Sequence, residues 1–298
     1  MVRGSRPAAE VPIDLPLVRR LLRHQFPQWS RLTVRPAESA GWDNAIFRLG
    51  ADLAVRLPRR LIGADQTEKE HRWLPVLGPQ LPLAVPVPAG KGVPGDGYPW
   101  HWTVCRWLPG QIAALAPVAD MSQVASSLAR FVRALQAVDP AAGPVSEFRG
   151  VPLAARDPVS RACAAALRDS LDVRRILAQW EAAVAEPSWM GPPVWMHGDL
   201  HPANLVVSNG ELTGVIDFGL VGVGDPAVDL MVAWTYLSAD ARRVFRDELA
   251  VDDATWARGR GWALHLGLMA AANSADNPVL RDIGRHAITE VLSESACR

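Results

Sequence analysis

His197-Gly198-Asp199-Leu200-His201-Pro202-Ala203-Asn204, with Ile216-Asp217-Phe218-Gly219 a short way downstream, decides how this chain of 298 residues is read. The stretch sets an acid, an amide and a second acid at a spacing suited to phosphoryl transfer onto a hydroxyl. Asp199 is the candidate base that accepts the hydroxyl proton. Asn204 and Asp217, thirteen positions apart, are hard oxygen donors of the kind Mg2+ takes alongside substrate phosphates. Pro193-Val194-Trp195-Met196 reads as a short buried strand that delivers His197 to a loop. Leu205-Val206-Val207 and Thr213-Gly214-Val215-Ile216 read as strands around Asn209-Gly210. That pair tolerates the positive φ of a tight hairpin turn, so the hairpin is expected to fold Asp217 back beside Asn204. A zinc reading of His197 and His201, four apart, would need a helix to put both on one face. Pro202 and the Gly198-Asp199 turn argue against one, and no Glu follows His197.

The two motifs carry the parts of H-R-D-L-x-x-x-N and D-F-G in kinase chemistry, with Gly198 where the Arg would stand. Gly224-Asp225-Pro226-Ala227-Val228-Asp229-Leu230 follows them, and Gly41-Trp42-Asp43-Asn44 and Leu53-Ala54-Val55-Arg56-Leu57-Pro58-Arg59 precede them. On these residues the chain resembles the aminoglycoside phosphotransferase and choline kinase-like group of small-molecule kinases. The resemblance implies an α+β, two-lobed protein-kinase-like fold. It has a small N-terminal antiparallel-sheet lobe that binds nucleotide (residues 1–105), a hinge (106–110) and a larger, mainly helical catalytic and acceptor-binding lobe (111–298).

The same resemblance implies roles for particular residues. Arg56 stands where the family usually has a Lys that holds the α- and β-phosphates; a guanidinium fork there replaces a point charge. Its acidic partner is expected from the helix over Ala64 to Leu77. Glu70 is the first choice and Glu68 the second, because Glu70 shares the side of Trp73 and Leu74. Ser39, Gly41 and Asn44 belong to a hairpin loop over the triphosphate, whose backbone N–H groups can cradle phosphate oxygens. Arg106 and Leu108 are expected to meet the nucleobase through main-chain atoms. His197 braces the catalytic loop, and Asp229 hydrogen-bonds it from the start of a helix. Asp225 resembles a loop-stabilising acid. His201 is expected either near the γ-phosphate or facing solvent, and Trp234 or Trp262 to line an acceptor site if any tryptophan does.

Composition narrows the partners. No run of eighteen apolar residues appears, so no membrane span is expected, and the N-terminus lacks an apolar signal segment. Three cysteines, Cys105, Cys163 and Cys297, lie far apart without metal spacing and fit reduced thiols in the cytoplasm. Lys and Arg number 15 against 9 Asp and Glu over residues 1–110, and 16 against 22 over residues 111–298. A basic first part suits a nucleotide, and an acidic second part suits a cationic acceptor through steering. No basic stripe points to nucleic acid, and no obligate protein partner is evident.

Apolar spacing gives the remaining elements. Helices are expected over Leu15–Leu22, Val118–Leu135, one or two within 158–185, and then 227–237, 239–249, 255–272 and 279–292. Strands are expected over Leu32–Val34, Ala45–Leu49, Leu53–Leu57 and Tyr98–Leu108. Only eleven residues separate Asp217 from Asp229, with no Ser, Thr or Tyr among them. That excludes a phosphorylated activation loop and leaves no platform for a peptide substrate. The expected activity is ATP- or GTP-dependent, Mg2+-assisted transfer of the γ-phosphoryl to a hydroxyl of a small molecule, an aminoglycoside-like or other antibiotic. The alternatives are a kinase of a cellular metabolite such as an amino alcohol or sugar, and a nucleotide-binding pseudoenzyme.

Overall fold

The computed structural model describes residues 7–37 and 43–294. The chain forms two compact units, Pro7–Pro109 and Gly110–Arg298. Residues 106–109 therefore run with the first unit; the Trp107 amide donates to the Asp52 carbonyl at 2.8 Å.

The first unit is a helix-flanked sheet. α1 (Leu15–Gln25) starts where the Asp14 carboxylate accepts the Leu17 N–H at 2.8 Å, a cap that satisfies one orphan donor of the first turn. Its Leu17, Val18, Leu21 and Leu22 are buried at helical spacing. β1 (Val34–Pro36), β2 (Asn44–Leu49), β3 (Leu53–Pro58), β4 (Pro88–Gly92) and β5 (Trp102–Arg106) form one antiparallel sheet in the order β1-β2-β3-β5-β4. The first strand begins two residues later than its sequence pattern predicts. The Leu32 amide donates instead to the Trp29 carbonyl and closes a turn. α2 (Leu61–Leu77) lies between β3 and β4 in the chain. Leu21, Leu22, Leu49, Val55, Leu57, Trp102 and Val104 form the centre of the core.

The second unit contains β6 (Gln111–Ile112), α3 (Met121–Gln136), α4 (Asp157–Ala166), α5 (Val173–Ala185), β7 (Val194–Met196), β8 (Leu205–Ser208), β9 (Glu211–Val215) and β10 (Gly222–Gly224). It ends in α6 (Val232–Thr235), α7 (Ala239–Leu249), α8 (Asp253–Asn273) and α9 (Pro278–Glu294). α3 begins at Met121 rather than near Val118 because Asp120 caps it, accepting from Ser122 and Gln123. Residues 227–237 are not one helix. A 3-10 segment over Pro226–Met231 leads into the single turn of α6. Every residue from Pro226 to Thr235 is buried, so no polar face imposes the 3.6-residue period. α8 is buried nearly all round from Thr255 to Leu268 and packs most extensively on α9. No helix among the described residues is long and apolar enough to cross a membrane.

His265, in α8, illustrates what that burial does to a titratable group. It packs against Trp180 and Trp262 and lies 2.8 Å from Ser160 Oγ through Nδ1. Burial, with the Arg149 and Arg156 charges, lowers its pKa to about 3. The unfolded chain then takes up a proton before the folded one does. Stability is therefore complete above the ordinary histidine pKa and falls with pH through it, by about 3 kcal/mol near pH 4. Unfolding free energies measured across this window should show a shallower decline for His265→Gln; an identical slope would remove His265 as the cause.

Candidate active site

β7 pairs antiparallel with β10, Met196 opposite Gly222, and ends just before His197. The loop that follows is fixed by one carboxylate: Asp229 accepts the His197 N–H at 2.7 Å through Oδ2 and the Gly198 N–H at 2.8 Å through Oδ1. Asp229 is fully buried. Burial raises its pKa, against the opposing pull of His197 and the two amides. His197 is likewise buried, its Nδ1 accepting from the Asp199 amide at 3.2 Å and its Nε2 donating to the Ile216 carbonyl at 3.0 Å. Neither ring nitrogen is left for zinc, and among the described residues no three His, Cys, Asp or Glu side chains gather to hold a metal.

Gly198 has φ +84°, a left-handed conformation that glycine adopts without a Cβ penalty. Asp199 follows, its side chain 21% exposed, so the carboxylate is shielded yet reachable. Its neighbours define its charge. His201 Nε2 lies 3.3 Å from Oδ2, Arg149 Nη2 donates to Oδ1 at 3.2 Å, and Asn204 Nδ2 donates to the Asp199 carbonyl at 2.9 Å. Burial alone would raise the Asp199 pKa. His201, Arg149 and His197 outweigh it and hold the carboxyl well below the usual range. A carboxylate ionised at every working pH can accept a proton only as one is released by the reacting hydroxyl.

The β8–β9 hairpin turns at Asn209 (φ 53°) and Gly210 (φ 80°), with Ser208 opposite Glu211. Leu205 pairs with Val215, and the Ile216 amide donates to the Asn204 carbonyl at 2.9 Å. That bond couples the two candidate cation ligands through adjacent backbone. Asp217 itself has φ 66°. A left-handed non-glycine is kept only where its surroundings over-determine it, and such residues gather at functional sites.

In the first unit, Arg56 Nη1 donates to Glu70 Oε2 at 2.8 Å, with side chains 12% and 3% exposed. Glu68 is instead on the surface with Lys91 at 2.6 Å and with His101. Asn44 is buried at the start of β2, opposite Pro58. Arg106 ends β5 opposite Leu53, its side chain exposed, and Leu108 lies just beyond the strand. Ser39 and Gly41 lie outside the described residues.

Several expectations need correction. His201 does not face solvent; it is 5% exposed and turned to Asp199. Trp234 and Trp262 are fully buried and offer no wall to an acceptor. Asp225, by contrast, does steady a turn: it accepts from the Ala227 amide at the start of the 3-10 segment and binds Arg258 of α8. The sequence also gave no signal for Arg149. It reaches Asp199 from fifty positions upstream, out of a stretch with neither motif nor apolar period.

The fold is kinase-like, and the family match makes the chain a small-molecule phosphotransferase with an alcohol group as acceptor. The chain belongs to the phosphotransferase enzyme family (APH), whose model matches residues 33–262. Among solved structures it is similar to the GDP complex of wild-type aminoglycoside 2'-phosphotransferase-IIIa, at 20% identity and a TM-score of 0.72, covering 95% of this chain and 100% of that one. A GDP and kanamycin complex of an aminoglycoside phosphotransferase gives 21%, 0.71, 93% and 98%. The macrolide 2'-phosphotransferase MphH from Brachybacterium faecium gives 25%, 0.62, 93% and 98%. No curated protein sequence matches.

Proposed function

We propose that the protein transfers the γ-phosphoryl of ATP or GTP to a hydroxyl of a small antibiotic, aminoglycoside-like or macrolide-like. The observation that carries the reading is the coupling of Asp199, Asn204 and Asp217 through one braced loop and one hairpin. Asp199 orients the acceptor hydroxyl and takes its proton as the bond to phosphorus forms. The amide nitrogen of Asn204 is engaged with Asp199, which leaves its oxygen, with the Asp217 carboxylate, as the hard donor pair that fits Mg2+. When bound, Mg2+ neutralises phosphate charge. Arg56, fixed by Glu70, adds a cation for the α- and β-phosphates. Ser39, Gly41 and Asn44 supply the phosphate loop, and main-chain groups of Arg106 and Leu108 receive the nucleobase. In this assignment residues 1–105 are the nucleotide-binding lobe, 106–110 the hinge and 111–298 the catalytic and acceptor lobe.

The relatives named for kanamycin, aminoglycoside and macrolide chemistry support an antibiotic acceptor. So does the acidic balance of residues 111–298, 22 Asp and Glu against 16 Lys and Arg. The test is a coupled nucleotide-consumption screen with magnesium ATP and magnesium GTP over aminoglycosides, macrolides, amino alcohols and sugars. Turnover on an antibiotic above the water background is the expected result. Turnover confined to an amino alcohol or sugar would replace the antibiotic with a metabolite. Absence of any nucleotide-induced thermal shift would refute phosphoryl transfer itself.

A further inference from the structure

We propose that Arg149 is a positioning residue for the transfer, reaching the catalytic loop from fifty residues upstream and holding the Asp199 carboxylate toward the acceptor hydroxyl. The inference rests on the assignment of Asp199 as base.

Three observations converge on it. A Cβ at Gly198 would lie 2.8 Å from the Leu220 carbonyl oxygen, 3.2 Å from Arg149 Cβ and 3.3 Å from its Cγ, so the bare glycine lets the stem of Arg149 pack closely against the catalytic loop. The head of Arg149 donates to Asp199 Oδ1 at 3.2 Å, and its guanidinium carbon lies 5.8 Å from the centre of the Trp262 ring. The arginine is only 13% exposed. Its loop is no loose surface strand. The Ser146 amide donates to Val223, the Val223 amide to Pro144, and the Asp225 amide to Gly150, while Ser146 Oγ accepts the Arg149 amide at 3.0 Å. The chain on both sides of Arg149 is thus stitched to β10 and the residue after it.

The chemistry follows from geometry. A carboxylate has two oxygens, and a base must present one to the hydroxyl with the other held still. Asn204 and His201 lie on the Oδ2 side at 3.3 Å each, and Arg149 holds Oδ1. An arginine clamped between a loop and an aromatic face is preorganised, so little rotamer freedom is lost when it binds.

The test compares Arg149→Ala, Arg149→Gln and Arg149→Lys with the unaltered protein, alone and combined with Asp199→Asn. Phosphate release from magnesium GTP and magnesium ATP is followed with water as acceptor and with the best acceptor of the screen. Arg149→Ala and Arg149→Gln are expected to lose about 10- to 100-fold in kcat with nucleotide KM unchanged. Arg149→Lys should recover most of that loss, and the loss should vanish in the Asp199→Asn background, as it does for residues that act as a unit. Equal rates for Ala, Gln and Lys variants, or losses that multiply with that of Asp199→Asn, would overturn the proposal. Undiminished turnover in Asp199→Asn itself would instead remove the base assignment on which it rests.

Discussion

Asp199→Asn is expected to lower kcat by about 10²- to 10⁴-fold, a loss of about 3–5 kcal/mol in transition-state stabilisation, while nucleotide affinity is unchanged. The substitution keeps the shape of the side chain and an acceptor oxygen for Arg149, and removes the negative charge and with it the ability to take a proton. The protein invests several groups in keeping that position charged. His201, Arg149 and Asn204 all face it, against a burial that by itself would favour the neutral acid. Turnover and calorimetric nucleotide binding measured on the same preparation separate the two contributions. Loss of both together would mean that Asp199 organises the nucleotide site and is not the base.

The second large effect concerns stability. Arg258 donates to Asp225 through Nε at 2.8 Å and Nη2 at 3.2 Å, and to the Pro187 carbonyl through Nη1 at 2.8 Å. The two side chains are 4% and 7% exposed. Arg258→Met should cost about 3–5 kcal/mol, because breaking a buried pair leaves one desolvated charge without compensation. Adding Asp225→Asn to Arg258→Met should restore much of the loss, since the stranded charge is then gone. Denaturant unfolding of the single and double variants measures both. A single variant within about 1 kcal/mol of the unaltered protein, the scale of an ordinary surface pair, would contradict this account.

The parts of the site that the sequence reveals are those written locally. The Asn209-Gly210 turn sets the hairpin register, and the register brings Asn204 and Asp217 together without long-range information. Glu70 is distinguishable from Glu68 because a helix places residues three and four apart on one side, and Trp73 and Leu74 mark the inward side. What is not legible is tertiary. Arg149 meets Asp199, and Arg258 meets Asp225, across separations of 50 and 33 residues that no periodicity encodes. The 3-10 path of Pro226–Met231 is hidden for a related reason: a segment buried on all sides lacks the amphipathic contrast that would reveal its geometry.

The connection from Asp217 to Asp229 is short and held along its length. It carries no hydroxyl for a kinase to modify. β10 ties its middle to β7, and Asp229 secures its end to the catalytic loop. Phosphorylation therefore has no hydroxyl in this segment to act on, and the path from the metal-ligand candidate Asp217 to the loop brace Asp229 is set by backbone pairing and one carboxylate, without an added charge.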